Sequence, residues 1–308
     1  MKELEFFSEF FTRIHFGNPS LFRVSKDRKQ FIFRGIYNGS DSLLKMYNKS
    51  DIDKAKNILR EYQLTKLIED SAKQNNLDLK IIRVLDKGEF EDYMWVIREF
   101  VDGEPLGAMD PDEALGIDCY CSLNEKLFRS KEILADKIID QIQILGKIKI
   151  DEIDKKELNQ RFNFDQSDIV NLEKMLSYFD IKSLGYDLSD LLASQSETIS
   201  IKDLTPSNIL IAKNQEVYFF DFEWLGLDNR LFDVSFLWLF LWRDQKLSDD
   251  LKKLSIINLE DEKLFNKNII RIVYFYLKPA ILNNEMGKYR SHVWTKYLAD
   301  SVRFLQNV

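Results

Sequence analysis

The sequence predicts an α+β protein with a small β-rich N-terminal part and a larger helical remainder. Three observations carry that expectation. Five apolar runs with the length and residue types of strands fall before residue 101: Leu21–Ser25, Phe31–Ile36, Ser42–Tyr47, Leu79–Leu85 and Tyr93–Phe100. Tyr37-Asn38-Gly39-Ser40 reads as a hairpin turn, and Asp86-Lys87-Gly88 as a second turn. Beyond Asp102-Gly103-Glu104-Pro105, which breaks the pattern, helical spacing dominates. A short hairpin late in the chain, Ile209–Ala212 and Val217–Phe220, interrupts those helices. The expected division is residues 1–101 and 102–308.

Bulk properties narrow the function classes. The 308 residues are 45% apolar and 13% aromatic, enough for a sizeable core. Lys and Arg total 44 against 51 Asp and Glu, a net charge of −7, whereas nucleic-acid binders normally show a basic excess. Two cysteines, Cys119 and Cys121, and two histidines, His15 and His292, are too few for a zinc cluster and read as free thiols in a reducing compartment. The acidic start, Met1-Lys2-Glu3-Leu4-Glu5, does not read as a signal peptide, and the longest apolar run, Val234–Trp242, is far short of the ~20 residues that span a bilayer. The expectation is a soluble, cytoplasmic protein with neither nucleic acid nor membrane as partner.

In chain order, residues 1–20 read as an amphipathic helix ended by Gly17-Asn18-Pro19. The connection Lys26-Asp27-Arg28-Lys29-Gln30 is basic and lacks glycine. Lys45 sits in the apolar run Leu43-Leu44-Lys45-Met46-Tyr47, and a buried ammonium needs an anionic partner. Asp51–Gln74 is a helix capped by Asp51 or Ser50, with Ile58, Leu59, Tyr62, Thr65 and Leu67 at helical spacing; Glu61 and Glu69 lie on it. Further helices are expected over Pro111–Ile150, Gln166–Tyr178, Leu188–Leu192, Val234–Trp242, Asp261–Asn283 and Gly287–Val308, with Lys278-Pro279 as a kink or stop. Asp151, Glu152, Asp154, Glu157, Asp165 and Asp168 make one zone acidic, which suits a cationic substrate or a solubilising face.

The densest chemistry lies in residues 201–233. A polar loop, Lys202–Asn208, stiffened by Pro206, leads into the late hairpin, which ends at Asp221. Asp203, Asn208 and Asp221 are competent for protons and for hard cations, which prefer oxygen ligands. The run Asp203-Leu204-Thr205-Pro206-Ser207-Asn208-Ile209-Leu210, followed by Asp221-Phe222-Glu223, resembles the aminoglycoside phosphotransferase/choline kinase family, relatives of the protein kinases. That family's loop begins His-Gly-Asp; here the corresponding residues are Ile201, Lys202 and Asp203.

The resemblance implies a two-lobed protein-kinase-like fold and assigns roles by position. Asp203 is the base that takes the substrate hydroxyl proton, and Asn208 and Asp221 hold magnesium. Lys45 contacts the α and β phosphates, with Glu61 as its partner and Glu69 as the alternative. Glu99 and Val101, in Ile97-Arg98-Glu99-Phe100-Val101, offer main-chain contacts to adenine. Asp233 braces the catalytic loop. Arg98 stands where relatives carry an apolar or small residue. The implied activity is an ATP- and Mg²⁺-dependent phosphotransfer to a hydroxyl of a small molecule: an amino sugar, an aminoglycoside-like compound, a choline-like alcohol or a sugar. The absence of an Ala-Pro-Glu segment after Asp221 disfavours a protein substrate. The alternative is a pseudokinase-like nucleotide-binding module without turnover.

Overall fold

The computed structural model describes residues 2–25, 29–107, 111–112, 117–118, 131–149, 158, 161–182, 187–193 and 198–308. The chain forms two compact units. The first comprises Met1–Gly103 with Ala212–Asn214 and Tyr218–Glu223, and the second Glu104–Ile211, Gln215–Val217 and Trp224–Val308.

In the first unit a helix, α1 (Lys2–Arg13), precedes an antiparallel sheet of β1 (Gly17–Val24), β2 (Gln30–Tyr37), β3 (Ser40–Asn48), β4 (Val84–Phe90) and β5 (Tyr93–Glu99), in the order β1-β2-β3-β5-β4. Asn38 and Gly39 join β2 to β3 with φ of 49° and 78°, the left-handed pair that an Asn-Gly hairpin turn requires. Helix α2 (Ile52–Gln74) is capped by the Asp51 carboxylate, which accepts from the Lys54 amide. Strand alternation sorts side chains to two faces. Leu44, Met46, Trp95 and Ile97 join an aromatic cluster with Phe10, Phe11, Phe31 and Phe33. Ring pairs such as Phe11–Phe33, 4.9 Å apart at 76°, give that face the edge-to-face packing that adds to area burial. Val96 packs instead with Ile58 of α2, and Lys45, opposite Val96 in the ladder, shares that second face.

The fourth strand differs from the sequence expectation. Asp86-Lys87-Gly88 lies inside β4 rather than in a turn, and the chain reverses at Glu91, whose φ is 47°. Gly88 is there for space: a Cβ would lie 2.6 Å from the Trp95 ring. Residues 81–82, expected in the strand, bridge Phe219 instead: Ile82 donates to the Phe219 carbonyl (3.0 Å), and the Phe219 amide donates to that of Lys80 (3.1 Å). Those bonds fasten residues 218–223 to the first unit.

From residue 103 the chain continues through β6 (Gly103–Pro105), β7 (Pro111–Asp112), β8 (Ile117–Asp118), α3 (Lys131–Gly146), α4 (Gln166–Tyr178), α5 (Leu188–Leu192), β9 (Thr198–Ser200), β10 (Ile209–Ala212), β11 (Val217–Phe219), β12 (Gly226–Asp228), α6 (Phe232–Phe240), α7 (Gln245–Ser255), α8 (Leu259–Leu282) and α9 (Val293–Gln306). Helix α6 is apolar nearly all round, so it is buried. It stacks Phe236 on Phe240 (4.7 Å, 13°), and Phe240 meets Trp294 of α9.

Several expectations shift here. Pro111–Ile150 is not one helix: β7 pairs with β8, and the helix spans Lys131–Gly146. The first helix ends at Arg13, and Gly17-Asn18-Pro19 opens β1, since a proline at a strand's start forfeits no interior ladder bond. Pro279 does not stop α8, which runs three residues further to Leu282 and is capped by Asn283. Helix α7, capped by Asp244 and turning Leu247 and Leu251 inward, was not foreseen. Cys119, Cys121, residues 26–28 of the basic connection, and Asp151, Glu152, Asp154 and Glu157 lie outside the described residues. Among the described residues no helix is long and apolar enough to cross a membrane.

Candidate functional site

Two clusters of charged side chains contain most of the residues singled out by sequence. In the first unit, Lys45 projects from β3 and is 6% exposed. Its Nζ lies 2.8 Å from Glu61 Oε2 of α2 and 3.4 Å from Asp221 Oδ1. Glu69, the other candidate, binds Lys66 and Lys73 instead. Arg98 reaches the second Glu61 oxygen at 3.3 Å and lies 5.4 Å from the Phe220 ring centroid. Burial works against the Lys45 ammonium, but Asp221 and Glu61 outweigh it and hold its pKa above the ordinary lysine value. Burial likewise opposes the Asp221 carboxylate, yet Lys45 and then Arg98 bring its pKa below the ordinary value. Asp221 adopts φ of 67°, a left-handed conformation that costs a side-chain-bearing residue roughly 1 kcal/mol. Such strain collects at functional positions.

Glu99 closes β5. Its amide donates to the Arg83 carbonyl at 3.0 Å, and its carboxylate takes the Arg83 guanidinium. Val101 follows two residues later, half-buried, outside any strand.

The second cluster belongs to the second unit. Asp233, 3% exposed in the first turn of α6, accepts from Ser200 Oγ (2.9 Å) and the amides of Ile201 (2.9 Å) and Lys202 (3.1 Å). Burial pushes its pKa up to about 6 against those three bonds. The loop it carries turns at Lys202, whose φ is 58°. A side chain is thereby accommodated where glycine is the easy choice. The Lys202 ammonium is 1% exposed, donates to the Arg161 carbonyl (2.8 Å) and lies 3.6 Å from Asp228, which Arg271 holds in a fork at 2.8 and 2.9 Å. Burial lowers the Lys202 pKa, with Asp228 opposing. The next residue, Asp203, meets Arg161 Nη1 at 3.0 Å through Oδ1. Asn208 Nδ2 donates to the Asp203 carbonyl at 2.9 Å and sits 3.4 Å from Oδ2.

The chain is similar to an aminoglycoside 3'-phosphotransferase from Acinetobacter baumannii, 23% identical over 214 residues, which are 67% of this chain and 74% of that protein. No protein-family model matches it. A thermostable mutant of the aminoglycoside phosphotransferase APH(4)-Ia, in ternary complex with ADP and hygromycin B, matches with a TM-score of 0.58 at 11% identity, covering 96% of this chain and 97% of that one. The fold is that of the aminoglycoside phosphotransferases. Choline kinase LicA from Streptococcus pneumoniae shares it, with a TM-score of 0.51 at 11% identity over 100% of this chain and 99% of that one. An aminoglycoside-3'-phosphotransferase of type VIII gives 0.52 at 13% identity over 90% and 98%. The resemblance read from residues 201–233 thus holds across the protein-kinase-like, α+β architecture.

Sequence reasoning missed Arg161, Asp228 and Arg271. Arg161 and Asp203 are 42 positions apart, and no local pattern marks either the arginine or its partner. Arg271 sits among apolar residues of α8 and is fully buried, a signal of the kind that marked Lys45.

The oxygen donors suit a hard cation. Asp221 supplies a carboxylate, and Asn208 uses its amide nitrogen on Asp203, which turns its oxygen away from that bond. Among the described residues no group of three or more His, Cys, Asp or Glu would hold a metal with protein ligands alone.

Proposed function

We propose that the protein is an ATP- and Mg²⁺-dependent phosphotransferase that phosphorylates a hydroxyl of a small molecule: an amino sugar, an aminoglycoside-like compound, a choline-like alcohol or a sugar. The observation that carries this reading is the Lys45 ammonium buried against Glu61 and Asp221. A lysine kept charged and fixed in that way is suited to phosphate oxygens, and phosphoryl transfer depends mainly on positioning and charge stabilisation.

In this reading Lys45 contacts the α and β phosphates and Glu61 fixes its position, while Arg98 neutralises the second Glu61 oxygen. Glu99 and Val101 present main-chain groups to adenine. Asp203 accepts the proton of the acceptor hydroxyl as its oxygen bonds to the γ-phosphorus, the bond to the β-phosphate oxygen breaks, and ADP leaves. Asp233, holding two successive loop amides, keeps Asp203 in place. Asn208 and Asp221 would hold the magnesium, which when bound neutralises phosphate charge.

Screening amino sugars, alcohols and sugars for ADP release tests the reading. Asp203→Ala is expected to abolish turnover while leaving ATP binding, followed by thermal shift with and without Mg²⁺, largely intact. Substantial turnover by that variant would remove Asp203 from its role. Nucleotide binding by the wild type without ADP release across the panel would favour a binding module.

A further inference from the structure

The guanidinium of Arg161 has no part in the roles above, yet it lies within 6 Å of the centroids of four aromatic rings and against Asp203. Nη1 bonds Asp203 Oδ1 (3.0 Å) and approaches the Lys202 carbonyl (3.4 Å), and Nη2 bonds the Tyr276 hydroxyl (3.2 Å). Its carbon lies 4.4 Å from the Trp224 ring centroid, 5.1 Å from Phe275 and 5.3 Å from Phe162. Planar guanidinium groups stack on aromatic faces, and such a cage restricts the side chain to one pose. The contact is also reciprocal. Arg161 reaches the backbone and side chain at Lys202-Asp203, and Lys202 sends its own ammonium back to the Arg161 carbonyl. Lys202 can do so because its left-handed backbone turns the side chain inward to Asp228.

We infer that Arg161 is a positioning residue for Asp203, which rests on the reading of Asp203 as the base. An aspartate on a loop has two rotatable side-chain bonds. Arg161 Nη1 holds Oδ1 and Asn208 Nδ2 approaches Oδ2 at 3.4 Å, so the carboxylate is fixed in one pose toward the acceptor hydroxyl. Aromatic rings beneath the guanidinium and the Tyr276 hydroxyl beside it keep the fork still. Lys202, where the family motif has glycine, ties the two backbones together. A misplacement of a catalytic group by about 1 Å costs on the order of 100-fold in rate. The arrangement therefore acts on turnover rather than on nucleotide affinity.

The test is steady-state ADP release from Mg-ATP with water as acceptor, so that no acceptor identity is needed. Arg161→Gln is expected to lower kcat by on the order of 100-fold with the KM for ATP within about twofold of wild type. Arg161→Lys, which keeps the charge but not the fork, is expected to recover only part of the loss. Added guanidinium ion is expected to raise the rate of Arg161→Ala, an effect that a purely structural arginine would not give. Tyr276→Phe, which removes one bond to the fork and no charge, is expected to lower kcat several-fold at unchanged melting temperature, and it decides the matter should Arg161→Gln not fold. Wild-type kcat in Arg161→Gln, or in Tyr276→Phe, overturns the inference while an inactive Asp203→Asn leaves the base in place. An active Asp203→Asn overturns both.

Discussion

Asp233 shows how one residue links loop geometry to pH. Its folded pKa is about 6 against an ordinary value of 3.8, because burial outweighs the three donors that favour the charged form. The folded chain therefore keeps that proton at pH values where the unfolded chain has lost it, so stability from this group is full below about 4 and falls as pH rises to about 6. The difference in unfolding free energy between wild type and Asp233→Asn is expected to shift against the wild type by on the order of 3 kcal/mol between about pH 4 and pH 7. Urea titrations across that range measure it, and a constant difference would contradict the burial argument. At this scale the sequence was informative where chemistry and pattern coincide. Lys45 stood out because an ammonium interrupts an apolar strand, and the family resemblance pointed to a glutamate of the following helix, which is Glu61. Arg161 left no such mark, since its value comes from tertiary contacts with Asp203, Trp224 and Tyr276.

Elements were legible where one signal prevailed and misread where two residue types compete. Asn38-Gly39 makes the turn its chemistry demands, and the period-2 pattern of Leu44-Lys45-Met46 sorts two apolar side chains from one charged one. Asp86-Lys87-Gly88 carries turn-forming residues yet runs as strand, because Gly88 leaves room for Trp95 across the ladder. Gly88→Ala is accordingly expected to lower stability by about 2 kcal/mol, the cost of overpacking a tight contact, with the loss read from the urea midpoint. An unchanged midpoint would show that Trp95 yields without cost. The expected helix over Asp261–Asn283 runs through Pro279, since a proline one turn from a helix end forfeits a single donor there and the helix continues to Leu282. Helix α7 was legible but not read: Leu247, Leu251 and Leu254 recur at helical spacing behind the capping Asp244.

At the scale of the molecule, the order of parts along the chain carried the fold: strand lysine, helix glutamate, loop aspartate and bracing aspartate appear in the sequence as they do in the structure. What linear order does not reveal is allegiance. Residues 218–223 include the second strand of the late hairpin, yet they group with the first unit because Phe219 exchanges backbone bonds with Lys80 and Ile82. That grouping brings Asp221 to within 3.4 Å of Lys45, across 176 positions of chain, and gathers Lys45, Glu61 and Asp221 into one cluster of the first unit. Calorimetric titration of ATP, with and without Mg²⁺, into wild type and Asp221→Asn tests that proposal most directly. The account predicts that Mg²⁺ tightens ATP binding at least tenfold in the wild type and has little effect in the variant. ATP affinity indifferent to Mg²⁺ in the wild type, or an equal Mg²⁺ effect in both proteins, would contradict it.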